Sequence, residues 1–256
     1  MSDATDMTDA IPAATLVVLR ERASGPPDVL MVERAPAMAF AAGAMVFPGG
    51  RVDPGDRQLA GTLGLRDIDD GAARIAAVRE TIEEAGLPVG LTPLPGPDAV
   101  TALRTALHAG TPLAAALATA GVALDLTRLE PFARWRPSHR PTRLFDTRFF
   151  IARLPAAAPA PRVDGTENVR LCWATAQSVL DDAAAGRLSI IFPTQRNLER
   201  LARFDSYDAV AAHARATPVR VVTPWSEWRD GEEYLCIPDD LGYPITAQRM
   251  ADMRRG

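Results

Sequence analysis

The feature that most constrains this chain is a run of glutamates, Glu80, Glu83 and Glu84, set between Arg79 and Gly86. Its alanine-rich surroundings predict a helix, with Asp69 or Asp70 as the N-terminal cap and Gly86 as the stop. Residues three and four apart are neighbours on a helix, so the three carboxylates project from one face. Left uncompensated, like charges so placed cost roughly 0.2–0.5 kcal/mol per pair. A hard divalent cation reverses that sign, because it prefers clustered carboxylate oxygens and keeps waters and phosphate oxygens as its other ligands. Upstream, Phe47-Pro48-Gly49-Gly50 predicts a glycine turn where backbone can approach such a cation closely. A bare E-x-x-E-E is more often a solvated acidic face. The arginine before the first glutamate and the glycine turn move the reading to a metal site for phosphate chemistry.

Composition sets the outer bounds. With 256 residues, 47% hydrophobic and 23% charged, the chain has ordinary globular composition and is long enough to bury a sizeable core. A net charge of −4 and a pI near 5.5 argue against a duplex nucleic acid partner, which calls for a basic footprint. All 28 basic residues counted as Lys+Arg are arginine, a bias given no functional weight. Cys172 and Cys236 stand far apart without metal-ligand spacing and read as reduced thiols. The first residues lack the basic and apolar regions of a signal peptide, and no apolar run reaches the ~18 residues needed to cross a membrane. The expectation is a soluble, cytoplasmic protein. The oligomeric state is not readable.

Along the chain, residues 1–11 read as a disordered leader, and residues 15–19 and 29–32 as a hairpin around Ser24-Gly25-Pro26-Pro27. Asp53-Pro54-Gly55-Asp56 reads as loop, and 88–97 as a Pro/Gly-rich linker. Residues 98–108 and 112–120 predict two short helices, within an inserted helical segment spanning 98–121. Strands are expected at 132–135, 145–154, 169–173, 219–222 and 234–237, and helices at 175–186, 194–203 and 207–214. Strands mixed unevenly with helices indicate an α/β layer fold with a mixed sheet. His108 and His213 read as ordinary surface residues, and Trp225 and Trp228 as packing within the C-terminal segment.

At Gly50, Arg79, Glu80, Glu83, Glu84, Gly86 and Leu87 the chain resembles the Nudix hydrolases, whose box reads G-x5-E-x7-R-E-U-x-E-E-x-G-U with U bulky and apolar. Two departures stand out. Asp56 occupies the place of the first glutamate and Thr81 that of an apolar U residue. Between Asp56 and Arg79 lie 22 residues where the pattern has seven, an insertion assigned to 57–71. An interrupted box is similar to the branch that includes peroxisomal-type coenzyme A and acyl-coenzyme A diphosphatases. The segment from Gly43 to Gly50 resembles that branch, as do Phe132-Ala-Arg-Trp135 and Arg143-Leu-Phe-Asp-Thr-Arg-Phe-Phe150. Ala39 departs from the arginine often found in the coenzyme A signature.

The resemblance implies an α/β/α sandwich over 12–188, with box 50–87 and a C-terminal extension over 189–256 packed on the same domain. It implies a diphosphatase dependent on Mg2+ or Mn2+ that cleaves a nucleoside diphosphate linked to another moiety, foremost coenzyme A or acyl-coenzyme A. ADP-ribose, nucleotide sugars and other nucleotides remain open as substrates, as does a non-catalytic nucleotide-sensing module. In the family, residues matching Glu83 and Glu84 hold the metal, the one matching Glu80 adds a ligand or the base, and the carbonyl matching Gly50 contributes an oxygen. Arg79 would pair with Asp56, orienting the helix against Gly49. Because Asp is one methylene shorter than Glu, that pairing is expected to need a backbone shift or a water. Glu167 stands where members supply one more acidic ligand or base; after Asp164-Gly165 it also reads as a turn residue. Arg34 and the group Arg134, Arg136, His139, Arg140 and Arg143 are candidate contacts for substrate phosphates.

Overall fold

The structure, a computed structural model, describes residues 10–37, 41–137, 144–165 and 167–253. In chain order the elements begin with β1 (Ile11–Arg20), β2 (Asp28–Arg34), β3 (Ala44–Val46), β4 (Gly49–Arg51), α1 (Pro54–Thr62) and α2 (Ile68–Ala85). There follow β5 (Leu91–Thr92), α3 (Pro97–His108), α4 (Leu113–Ala120), β6 (Ala123–Leu124), β7 (Glu130–Trp135), β8 (Phe145–Arg153), β9 (Asn168–Thr175) and α5 (Ala176–Ala184). The last are β10 (Ser189–Ile190), α6 (Phe192–Leu201), α7 (Tyr207–Ala216), β11 (Val221–Val222), β12 (Trp225–Arg229), β13 (Glu232–Cys236), β14 (Ala247–Arg249) and α8 (Met250–Met253).

A mixed sheet orders its strands β10-β3-β2-β1-β8-β7-β11, with β4 also pairing β1 and β9 also pairing β2. The central strand β1 alternates between two apolar faces. Ala14, Leu16 and Val18 point to one core with α2, α3 and α4. Val17 and Leu19 point to a second core with residues of α5, α6 and α7. A strand buried on both sides reads as a continuous apolar run, and Leu16 to Leu19 is one. Helices cover both faces, giving the α/β/α layering.

The C-terminal residues build the second face. Leu198, Leu201, Val210, Ile237 and Leu241 enter that core. Trp135 Nε1 donates to Tyr243 Oη at 2.9 Å, and the buried Arg200 donates to the Phe132 carbonyl and to His213 Nε2, both at 2.8 Å. His213 is therefore no ordinary surface residue. Burial, with Arg200 and Arg203 beside it, pushes its pKa down to about 4.

Several local expectations are corrected. Residues 1–9 lie outside the described residues, and Ile11 already pairs with Phe145 in the sheet rather than belonging to a leader. The Gly49-Gly50 turn is the short strand β4, registered on Ala13–Thr15 of β1. The loop at 53–56 is the start of α1, because Pro54 suits a first helical position and Asp56 Oδ2 accepts the Asp53 backbone N–H at 2.9 Å. Helix α2 is capped by Asp67, whose side chain accepts from Asp70 N, with Asp69 and Asp70 in its first turn. The linker at 88–97 contains β5 and buries Val89 and Leu91 in the first core. Trp225 and Trp228 are not packed: they are 45% and 70% exposed on β12, an edge strand of a separate three-stranded sheet. Among the described residues no helix is long and apolar enough to cross a membrane.

Candidate metal-dependent active site

Helix α2 lies across β4 and β1, burying Ala72, Ala73, Ile75, Ala76, Ile82 and Ala85. Small alanines let the helix axis approach the sheet, which brings the opposite turn of Glu80, Glu83 and Glu84 close to the backbone of Gly49 and Gly50. Glu84 is 4% exposed and its Oε2 accepts the Gly49 N–H at 2.9 Å. A Cβ on Gly50 would collide with the Glu80 carboxylate, and one on Gly49 would stand 2.5 Å from the Ala14 carbonyl oxygen. Both positions need glycine for space; neither has a positive φ. Gly86 does, at φ 64°, and closes α2 as read from the sequence.

Arg79 ties this arrangement together. Its Nε and Nη2 meet Asp56 Oδ1 and Oδ2 at 3.2 and 2.9 Å, and Nη2 also donates to the Arg51 carbonyl at 2.9 Å. The bidentate pair forms directly, so no bridging water is needed. The physical reason is α1: folding 54–62 as a helix carries Asp56, 2% exposed, up to the guanidinium. Arg79 Nη1 reaches Glu80 Oε1 at 2.8 Å and Glu83 Oε2 at 3.1 Å. Burial opposes its charge, but Asp56, Glu80 and Glu83 outweigh burial and raise its pKa. Thr81, in place of an apolar residue, is fully buried and its hydroxyl donates to the Ala77 carbonyl at 2.7 Å, so no polar group is stranded.

The carboxylates are held in a costly state. Burial pushes Glu80 up to about 8, with Glu84 and Glu83 adding repulsion and Arg79 opposing it. Burial raises Glu84 to about 7, opposed by Asn168, Gly49 and Arg34 and reinforced by Glu167. Glu83 is also raised, by burial first, with Arg79 and His108 opposing. Glu167 and Arg34 thus sit within electrostatic reach of Glu84. They are neighbours across β2 and β9, where Ala35 N donates to the Glu167 carbonyl at 2.8 Å.

Among the described residues no three His, Cys, Asp or Glu side chains converge closely enough to hold a metal as they stand. Arg79 draws Glu80 and Glu83 to itself while Glu84 turns to Gly49. The donor set nevertheless fits a hard divalent cation: the acids are oxygen donors, all three are raised by burial, and Gly50 leaves its backbone bare beside Glu80.

Other expected residues lie apart. Register places Gly50 beside Ala14, Ala14 beside Arg148 and Arg148 beside Arg134, so Arg134 is three strands, about 14 Å, from Gly50. Arg134 makes a bidentate pair with Asp146 at 2.7 and 2.6 Å, so its charge is already met within the sheet. Arg136 follows β7, its N–H bonded to the Val222 carbonyl at 3.0 Å. His139, Arg140 and Arg143 lie outside the described residues, as does Ala39. Arg104, which sequence reasoning passed over, and His108, read from the sequence as an ordinary surface residue, both reach the glutamate helix. Arg104 Nε and Nη2 donate to the Glu83 and Glu84 carbonyls at 2.8 and 3.1 Å, and His108 Nε2 stands 3.1 Å from the Glu83 carbonyl. No sequence signal marked these contacts, because all three go to backbone carbonyls at least 20 residues away.

A crystal structure of a NUDIX hydrolase from Alicyclobacillus acidocaldarius matches with a TM-score of 0.68 and 34% identity, over 81% of this chain and 97% of that one. The chain belongs to the Nudix hydrolase superfamily. A Caenorhabditis elegans protein described as nudix hydrolase 7 is 28% identical over 221 residues, 84% of this chain and 69% of that one. No protein-family model matches. As a Nudix hydrolase the chain acts on phosphoanhydride bonds, and such enzymes need a divalent metal ion.

The raised acids predict how this Nudix hydrolase responds to pH. The folded values of Glu80 and Glu84, about 8 and about 7, lie above the ordinary 4.5. Their contribution is therefore complete below the unfolded value and is lost as pH rises through the folded ones. The Tm of metal-free protein should fall between about pH 5 and pH 9, and added Mg2+ should raise Tm more at the upper end. A metal-free Tm that climbs across that window would count against the carboxylate cluster as described.

Proposed function

We propose that Glu83 and Glu84 hold the divalent cation, with the Gly50 carbonyl as a further oxygen and Glu80 as an additional ligand or the base. The observation that carries this reading is the Arg79–Asp56 pair, which fixes α2 so that Glu84 and Glu80 meet β4 at Gly49 and Gly50 while Glu83 is held beside them by Arg79. A bound cation supplies positive charge against the phosphate oxygens and favours ionisation of a water at neutral pH. The chain's own residues do the rest. Before a cation binds, Arg79 holds Glu80 and Glu83 in register, and it is itself too well paired with Asp56 to act as an acid. Glu80, raised by burial, is suited to accept a proton from the attacking water. Attack at one phosphorus breaks the anhydride bond, and the bridging oxygen departs with the other phosphate. Glu167, exposed and within electrostatic reach of Glu84, would add one more acid.

For the substrate we propose coenzyme A or an acyl-coenzyme A, cleaved to a 3′,5′-ADP and a phosphopantetheine. Support comes from the interrupted box and from the resemblance of residues 43–50, 132–135 and 143–150 to enzymes of that branch. A long substrate also suits the separation of Arg34, near Glu84 at the end of β2, from Arg136, just after β7 and three strand positions away; we propose that Arg136, with Arg140 and Arg143, meets a distant phosphate such as the 3′-phosphate. The test is chromatographic detection of the two phosphorylated products formed from coenzyme A, ADP-ribose, NADH and dinucleoside polyphosphates, with and without Mg2+. Metal-dependent turnover with the highest kcat/KM on coenzyme A is expected. A clear preference for ADP-ribose or a dinucleoside polyphosphate would overturn the substrate while leaving the metal site standing.

A further inference from the structure

A helix leaves its last carbonyls without intrahelical partners, and in α2 those carbonyls belong to the turn that bears Glu83 and Glu84. The Ile82 carbonyl is taken by the Gly86 N–H at 2.9 Å and the Ala85 carbonyl by the Arg162 N–H at 2.9 Å. The two between them are met by one side chain. Arg104 Nε donates to the Glu83 carbonyl at 2.8 Å and Nη2 to the Glu84 carbonyl at 3.1 Å, with His108 Nε2 also 3.1 Å from the Glu83 oxygen. Arg104 comes from α3, outside the box, and is held by the burial of Leu103 and Leu107 in the first core. The guanidinium also lies against Gly86, where a Cβ would touch its Nη1 at 3.6 Å.

Two physical consequences follow from a planar fork laid across consecutive carbonyls. A terminal turn frays when water satisfies its carbonyls one at a time, whereas a rigid fork fixes their relative orientation. Three carboxylates at a helix C-terminus also sit at the negative end of the macrodipole, the unfavourable end for them, and a guanidinium there offsets it. We propose that Arg104, backed by His108, is a positioning residue that fixes the Glu83–Glu84 backbone and thereby the direction of both metal-holding carboxylates. This rests on the assignment of those two glutamates proposed above.

The test uses the full chain and Mn2+ titrated calorimetrically, alongside Tm and steady-state kinetics on coenzyme A and ADP-ribose. Arg104→Met removes both donors and keeps much of the apolar stem. It should weaken Mn2+ binding about tenfold or more and lower kcat, with KM nearly unchanged. Arg104→Lys keeps the charge but cannot span both carbonyls, and should bind Mn2+ with intermediate affinity. Wild-type Mn2+ affinity in Arg104→Met overturns the proposal, even if Tm falls, since a merely structural contact would behave that way. If Arg104→Met does not fold, Arg104→Lys decides: intermediate affinity supports the role, and wild-type affinity overturns it. The control is Glu83→Gln. If wild-type protein has no Mn2+ site that this control removes, the underlying metal assignment fails; if it has one and the Arg104 variants leave it intact, only the positioning role fails.

Discussion

Glu83→Gln yields a folded protein whose metal-dependent turnover drops about 100- to 1,000-fold, the range seen when one oriented electrostatic group is lost from an active site. The fold survives because the Glu83 side chain is 21% exposed and its hydrogen bond is to Arg79 at 3.1 Å, which keeps Asp56 and Glu80. Removing one of three crowded acids relieves repulsion, so Tm should hold or rise slightly. Activity and stability then move in opposite directions, the pattern expected where a fold carries a strained charge cluster for its chemistry. Full metal-dependent turnover by Glu83→Gln on every diphosphate tested would contradict the proposed mechanism.

Asp56→Ala moves both quantities down. It leaves a buried guanidinium short of its bidentate partner, and breaking a buried pair typically costs about 3–5 kcal/mol. Arg79 retains the Arg51 carbonyl, Glu80 and Glu83, which favours the lower end, about 3 kcal/mol. For a chain of this size that corresponds to a Tm lowered by about 6–12 °C. Turnover should fall about 10- to 100-fold as well, because the freed Arg79 competes with the cation for Glu80 and Glu83. Thermal denaturation and kinetics on the same preparation check both. A variant with unchanged Tm and turnover would remove the clamp from the account.

The contrast between these residues also explains what was legible in the sequence. The glutamate helix is a local object: its spacing, its alanine face and Gly86 all lie within 18 residues of α2 and its cap. The pairing of Arg79 with Asp56 was legible from the resemblance, but its directness was not, because Pro54-Gly55-Asp56 looks like turn chemistry until Pro54 is read as a first helical position. Arg104 was illegible because its bonds to Glu83 and Glu84 span 21 and 20 residues and go to backbone, which no side-chain motif encodes. The second face was hidden for the same reason: the Trp135–Tyr243 bond joins residues 108 apart. Trp225 and Trp228 misled in the other direction. Their apolar rings suggested packing, yet they stand exposed on β12.

The central claim is that one divalent cation sits among Glu80, Glu83, Glu84 and the Gly50 carbonyl. The most direct measurement is a crystal of the full chain soaked in Mn2+ and examined by anomalous diffraction. The account predicts a peak between the C-terminal turn of α2 and β4, with Arg79 displaced from at least one of Glu80 and Glu83. A peak elsewhere, or none from protein that hydrolyses diphosphates in the same Mn2+ solution, would contradict it.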